Sequence, residues 1–179
     1  YVLVSREKAW LLTDSRYIEA AESSVDSCVT VQMFDQQHSR LSLLIAALQE
    51  AKVSRLGAEE KKLSHGEYLG LEKDLGLSLL PAQDILSDLR AAKSAGEIES
   101  MRQAQRISEL ALEETLQVIK PGMTEREVAA ELVYRMLRHG SEGNSFDPIV
   151  VTGTKTSLPH GVPGDKVIRE GDLLTMDFG

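Results

Sequence analysis

The run SAGEIESMRQAQRISELALEETLQVIKPGMTEREVAAELVYRMLRHG, residues 94–140, contains two helix beginnings and two helix endings. Ser94 with Glu97, and Thr124 with Glu127, have the spacing of a capping box, in which side chains satisfy the first free amides of a helix. Ile98, Met101, Ala104, Ile107, Ala111, Thr115 and Val118 trace one stripe until Pro121-Gly122 stops it. Val128, Leu132, Val133, Met136 and Leu137 form a second apolar face, and Gly140 after His139 suits a C-terminal cap. Two helices with one apolar side each predict a sheet beneath them. Its strands are expected at residues 145–152, with Phe146, Ile149, Val150 and Val151, and at residues 172–178. The loop between them carries Pro159-His160-Gly161 and Pro163-Gly164.

Upstream, short strand-like runs alternate with amphipathic stretches, which is the punctuation of an α/β domain. Strands are predicted at residues 1–5, 9–13, 25–33, 55–59 and 77–80, and helices at 41–52 and 65–74. In the first helix Leu41, Leu44, Ile45, Leu48 and Ala51 repeat at three and four, so a sheet must lie against that face. The pattern changes to long helices near residues 88–96, and the domain boundary is drawn there, giving residues 1–90 and 91–179.

A net charge of −8 and a pI near 5.1 oppose a nucleic-acid partner, which would call for a basic face. No run reaches the roughly 18 apolar residues that span a bilayer, so no membrane role is expected. The single cysteine, Cys28, excludes an internal disulfide and a multi-cysteine zinc site; it lies in an apolar run and reads as a buried structural thiol in a reducing compartment, the cytoplasm. Tyr1 opens within a strand pattern without an initiator methionine, so the true N-terminus is expected to lie upstream.

Two residues stand out chemically. Asp177 ends the run Leu173-Leu174-Thr175-Met176, which reads as a buried strand, where a carboxylate needs a partner or a cation; it could equally cap the turn begun by Gly179. His160 sits in a Pro- and Gly-rich loop that could hold an imidazole toward a site or leave it in solvent. His38, His65 and His139 lie in polar segments read as exposed, and Asp14-Ser15-Arg16-Tyr17 reads as a hydrogen-bonded turn with a packed tyrosine. Phosphate-binding glycine loops, a His-Glu-x-x-His helix and a nucleophile elbow are all absent from the sequence.

In order and spacing, residues 89–179 resemble the first half of the pita-bread catalytic domain of Xaa-Pro dipeptidases, aminopeptidase P, methionine aminopeptidase and creatinase. The signposts are Leu89-Arg90 with Lys93-Ser94 and Glu97-Ile98-Glu99; Lys120-Pro121-Gly122-Met123-Thr124-Glu125; Ser145-Phe146-Asp147-Pro148-Ile149-Val150; Pro159-His160-Gly161; and Gly171-Asp172 leading to Met176-Asp177-Phe178-Gly179. Leu12-Thr13-Asp14-Ser15-Arg16-Tyr17 resembles the creatinase-type N-terminal domain found in the proline-specific branch. The implied fold is an incomplete α/β creatinase-like domain followed by the first half of an α+β pita-bread domain.

The resemblance implies two divalent cations, manganese first and cobalt or zinc as alternatives, held by two aspartates, one histidine and two glutamates. Asp177 would be the first of these metal ligands and the other four would lie beyond Gly179. His160 would be the catalytic, substrate-binding histidine that stabilises the tetrahedral intermediate, while a metal-bound water attacks the carbonyl. Proline-containing dipeptides or short peptides would be the substrates and a homodimer the assembly. A lone chain of this length is expected to be inactive. A metal-independent creatinase-like hydrolase and a non-enzymatic binding module on the same fold remain alternatives.

Overall fold

Strand β1 (Val2–Val4) runs antiparallel to β2 (Ala9–Thr13), and β2 runs parallel to β3 (Val29–Met33). Parallel neighbours need a crossover, and α1 (Ile18–Ser24) supplies it. Helix α2 (Arg40–Glu50) starts at Ser39, whose hydroxyl accepts the Ser42 amide at 3.1 Å. It lays Leu44, Ala47 and Leu48 against Leu3, Trp10 and Leu12 of the sheet, so the face predicted from its spacing is the one buried. Strands β4 (Leu56–Ala58) and β5 (Leu79–Pro81) form a separate parallel pair on either side of α3 (His65–Leu75), and α4 (Gln83–Ala91) follows.

The computed structural model describes residues 1–179 and divides them into two units, Tyr1–Ala92 and Lys93–Gly179. In the second unit both predicted capping boxes close. Ser94 and Glu97 exchange bonds of 3.3 and 2.7 Å at the start of α5 (Ala95–Leu116). Thr124 and Glu127 do so at 3.2 and 2.7 Å at the start of α6 (Glu125–Arg138). Gly140, just past α6, has φ +97°, a conformation that a side chain would strain. Strands β6 (Ile149–Thr152) and β7 (Leu174–Asp177) pair antiparallel, with the 3₁₀ turn Gly153–Ser157 leaving β6. Val128 and Leu132 of α6 pack on Val150 and Ile168, with Leu112, Leu174 and Met176 at the margin.

The two long helices are also tied by charge. Arg135 of α6 donates to Glu114 of α5 at 2.7 Å and to Glu131, and His139 Nε2 lies 3.0 Å from the same Glu114. Arg135 and His139 hold the Glu114 carboxyl below its usual range. His139 is thus half-buried and engaged, not exposed as its polar setting suggests. No helix is long and apolar enough to cross a membrane.

Several expectations are corrected. Cys28 is exposed: Val25 closes α1, residues 26–28 turn, with the Val29 amide on the Asp26 carbonyl, and only then does the strand begin. The apolar run is therefore broken by a turn and shields no thiol. Tyr17 is exposed beside Arg16, although the turn itself forms, with Arg16 bonding Asp14 through its amide and its guanidinium. Ile98, Met101, Ala104 and Leu137 lie on the surface: the buried positions are Ala111 and Thr115 on α5 and Val128, Leu132 and Met136 on α6, and Val118 is exposed past the end of α5 at Leu116. Helices α1 and α4 were not marked by the sequence; neither begins with a side-chain cap.

Candidate active site

Residues opposite one another in an antiparallel pair share a face of the sheet, as do alternate residues of one strand. The register pairs Ile149 with Asp177, Val150 with Met176, Val151 with Thr175 and Thr152 with Leu174. Val150, Leu174 and Met176 belong to the core shared with α6, so Ile149, Val151, Thr175 and Asp177 occupy the other face. Asp177 is exposed there. The run before it is not a buried strand: β7 alternates half-buried and exposed positions, and Leu173 is 77% exposed.

Val151 is fully buried on that face, and the cover is the histidine loop. A Cβ on Gly161 would stand 2.7 Å from Val151 Cγ1, so only glycine lets the backbone of Pro159-His160-Gly161 approach so closely. The loop carrying His160 thus lies on the same side of the sheet as Asp177. His160 itself is exposed.

The flanks of the loop converge on Glu125, the first residue of α6 and fully buried. Its carboxylate accepts the Thr152 amide at 2.9 Å, the Gly164 amide at 3.0 Å and the ammonium of Lys155, which also donates to the Val162 carbonyl at 3.0 Å. Lys166 donates to the Thr152 carbonyl at 2.7 Å. The returning chain is stitched to the entrance of α6 by Glu125 N to Lys166 O, Arg126 N to Gly164 O and Ile168 N to Met123 O. Beyond it, the Asp172 carboxylate takes the Arg169 amide at 2.9 Å and stands 3.3 Å from the Thr152 hydroxyl.

Burial pushes the Glu125 carboxyl up, but Lys155 and the two amides outweigh it and hold the group below its ordinary value of 4.5. A depressed carboxylate means that the unfolded chain binds more protons on acidification, so stability is full above that ordinary value and is lost as pH falls through the folded one. The urea midpoint is expected to fall steadily as pH is lowered below about 4.5. It should fall less steeply in Glu125→Gln, which has no such proton to take up. Equal slopes would show that Glu125 is not part of the acid response.

Sequence reading missed Glu125 and Lys155. Glu125 stands in the quoted motif and the spacing from Thr124 already assigns the cap to Glu127, but nothing in the sequence tells that Glu125 turns inward; Lys155 stands in an unremarkable polar turn. As for metal, Asp177 offers one exposed carboxylate, and no three His, Cys, Asp or Glu side chains stand close enough to hold an ion. The residues of this chain do not by themselves make a metal centre.

Residues 1–92 match the creatinase/prolidase N-terminal domain, and residues 99–179 match metallopeptidase family M24. The chain belongs to the creatinase and prolidase family. An Xaa-Pro dipeptidase of Pyrococcus horikoshii is 33% identical across 100% of this chain, which covers 49% of that protein. An uncharacterized peptidase of Bacillus subtilis is 34% identical, with coverages of 99% and 50%. Among solved structures, an X-Pro aminopeptidase from Thermotoga maritima superposes with a TM-score of 0.87 at 36% identity, over 99% of this chain and 50% of that one. An Xaa-Pro dipeptidase from Bacillus anthracis gives 0.88 at 32%, over 99% and 49%. The creatinase-like unit and the partial pita-bread unit expected from sequence are therefore the fold, and the chain spans about half the length of the relatives it matches.

Proposed function

We propose that the whole protein hydrolyses the Xaa-Pro bond at the N-terminus of dipeptides or short peptides in a reaction that needs divalent metal, manganese first, and that it works as a cytoplasmic homodimer. The observation that carries this reading is the placement of the His160 loop on Val151, on the face of the sheet that presents Asp177. The names borne by the relatives support the substrate class. In this reading Asp177 is one carboxylate ligand of a divalent ion whose remaining ligands come from outside these residues, and the ion supplies Lewis acidity and an activated water. His160 donates a hydrogen bond to the oxygen of the scissile carbonyl as negative charge develops there. Proline at the second substrate position has no amide hydrogen, so recognition must come from the shape of the pocket and not from a backbone bond to that residue.

The test is release of the N-terminal residue from an Xaa-Pro dipeptide, with free proline as the other product, and from an Xaa-Pro-Yaa tripeptide, with Pro-Yaa as the other product, by the whole protein, with Mn²⁺ and with chelator. Cleavage that needs the metal is expected, and the ratio of the two rates reads the preferred length. Cleavage that survives exhaustive chelation would point to creatinase-like chemistry; no cleavage with any divalent ion would point to a binding module.

A further inference from the structure

We propose that Glu125 and Lys155 are positioning residues for His160: an ion pair between a buried carboxylate and a half-buried ammonium that clamps both ends of the histidine loop and so sets the imidazole relative to the open face of the sheet. The proposal rests on the role assigned above to His160. Lys155 lies on the 3₁₀ turn five residues before the histidine, and Gly164 lies four residues after it. Both meet the one Glu125 carboxylate, and Lys155 reaches across to the Val162 carbonyl, closing the loop through side chains where it has no strand partner.

A stability role alone explains this arrangement less well. Glu125 is fully buried at the α6 N-terminus, where the Thr124–Glu127 box and the carbonyls of Lys166 and Gly164 already satisfy the first amides. A carboxylate taken out of water is a poor source of stability compared with an apolar side chain of the same size, because the charge loses its hydration, and here its partner Lys155 stays half-buried. What the pair supplies is direction: charged hydrogen bonds are short and oriented, and here they converge on the two stems of a loop whose tip is exposed. A reacting group shifted by about 1 Å can lose about a hundredfold in rate, so the geometry of such a loop carries catalytic weight.

The experiment uses the whole protein and the variants Lys155→Met, Lys155→Arg, Glu125→Gln and His160→Ala, with Lys155→Met repeated in the His160→Ala background. Lys155→Met is expected to lower kcat by about 10- to 100-fold with KM changed less than about threefold, and Lys155→Arg to restore most of it. In the His160→Ala background the same substitution should cost almost nothing, because the group it positions is gone. Equal losses in both backgrounds would overturn the proposal. Glu125→Gln, which keeps the shape of the side chain, serves if Lys155→Met does not fold.

A second readout is independent of hydrolysis. The His160 ring signal in a ¹H–¹⁵N spectrum, assigned by its loss in His160→Ala, should move or broaden in Lys155→Met and Glu125→Gln, while the His38 and His65 signals stay in place. An unmoved His160 signal sinks the clamp whether or not the protein is a peptidase. A moved signal in a protein that cleaves no Xaa-Pro bond would uphold the clamp and remove the functional reading instead.

Discussion

Replacing Asp177 by alanine in the whole protein is expected to lower kcat/KM for an Xaa-Pro dipeptide by about a thousandfold or more, with the fold unchanged. The size follows from the role proposed for the carboxylate: a metal ion contributes several kcal/mol of transition-state stabilisation, and each 1.4 kcal/mol or so is a factor of ten in rate. The unchanged fold follows from its position. Asp177 is an exposed strand residue opposite Ile149, and surface substitutions away from special features usually move stability by less than about 0.5 kcal/mol. Steady-state kinetics at saturating Mn²⁺, metal content of the purified variant and circular dichroism check the three parts together. A variant that keeps its metal and its rate would show that Asp177 is no ligand.

The second large effect is on stability. Trp10 is 1% exposed on β2, the central strand of its sheet, with Leu3, Leu12, Leu44, Ala47 and Leu48 packed in the same cluster. Trp10→Ala removes the largest side chain of that core and leaves a cavity that short, paired strands cannot collapse to fill. A cost of about 3–5 kcal/mol is expected, a large share of the roughly 5–15 kcal/mol that holds a typical domain together. Urea unfolding followed by circular dichroism measures it. A loss below about 1 kcal/mol would mean that the creatinase-like unit draws its stability from elsewhere.

The parts of this molecule that were legible in sequence are those whose causes are local. Ser94 with Glu97 and Thr124 with Glu127 named their helix starts because a capping box is complete within four residues. The apolar spacing of α2 showed its buried face because sheet and helix meet there along its length. Causes that lie elsewhere in the fold stayed hidden. Whether Leu173 and its neighbours were covered on both faces depended on what packs against β7, and the answer, one face only, is a property of register and of α6. The cap at Glu127 is set by its spacing from Thr124, but the inward turn of Glu125 is caused by Lys155, thirty residues later, and by the amides of Thr152 and Gly164. Cys28 was misplaced for a similar reason: an apolar composition does not show where a turn ends and a strand begins. His160 and Asp177 were singled out as residues; that one face of the sheet gathers them became visible only from Gly161 lying on Val151.

Helix α5 is two structures in one. Residues 95–106 are exposed without exception, whereas Ala111 and Thr115 farther along are sealed from solvent. Its first half is carried by the Ser94 box, by intrinsic helix preference and by surface ion pairs such as Glu99–Arg102, with no core beneath it. A stretch of about twelve residues held in that way is marginal as a helix in water. Opening of the backbone within this chain is therefore graded along a single rod: the amides near Ser100 exchange with solvent through local fraying, while those near Ala111 wait for the loosening of the whole second unit.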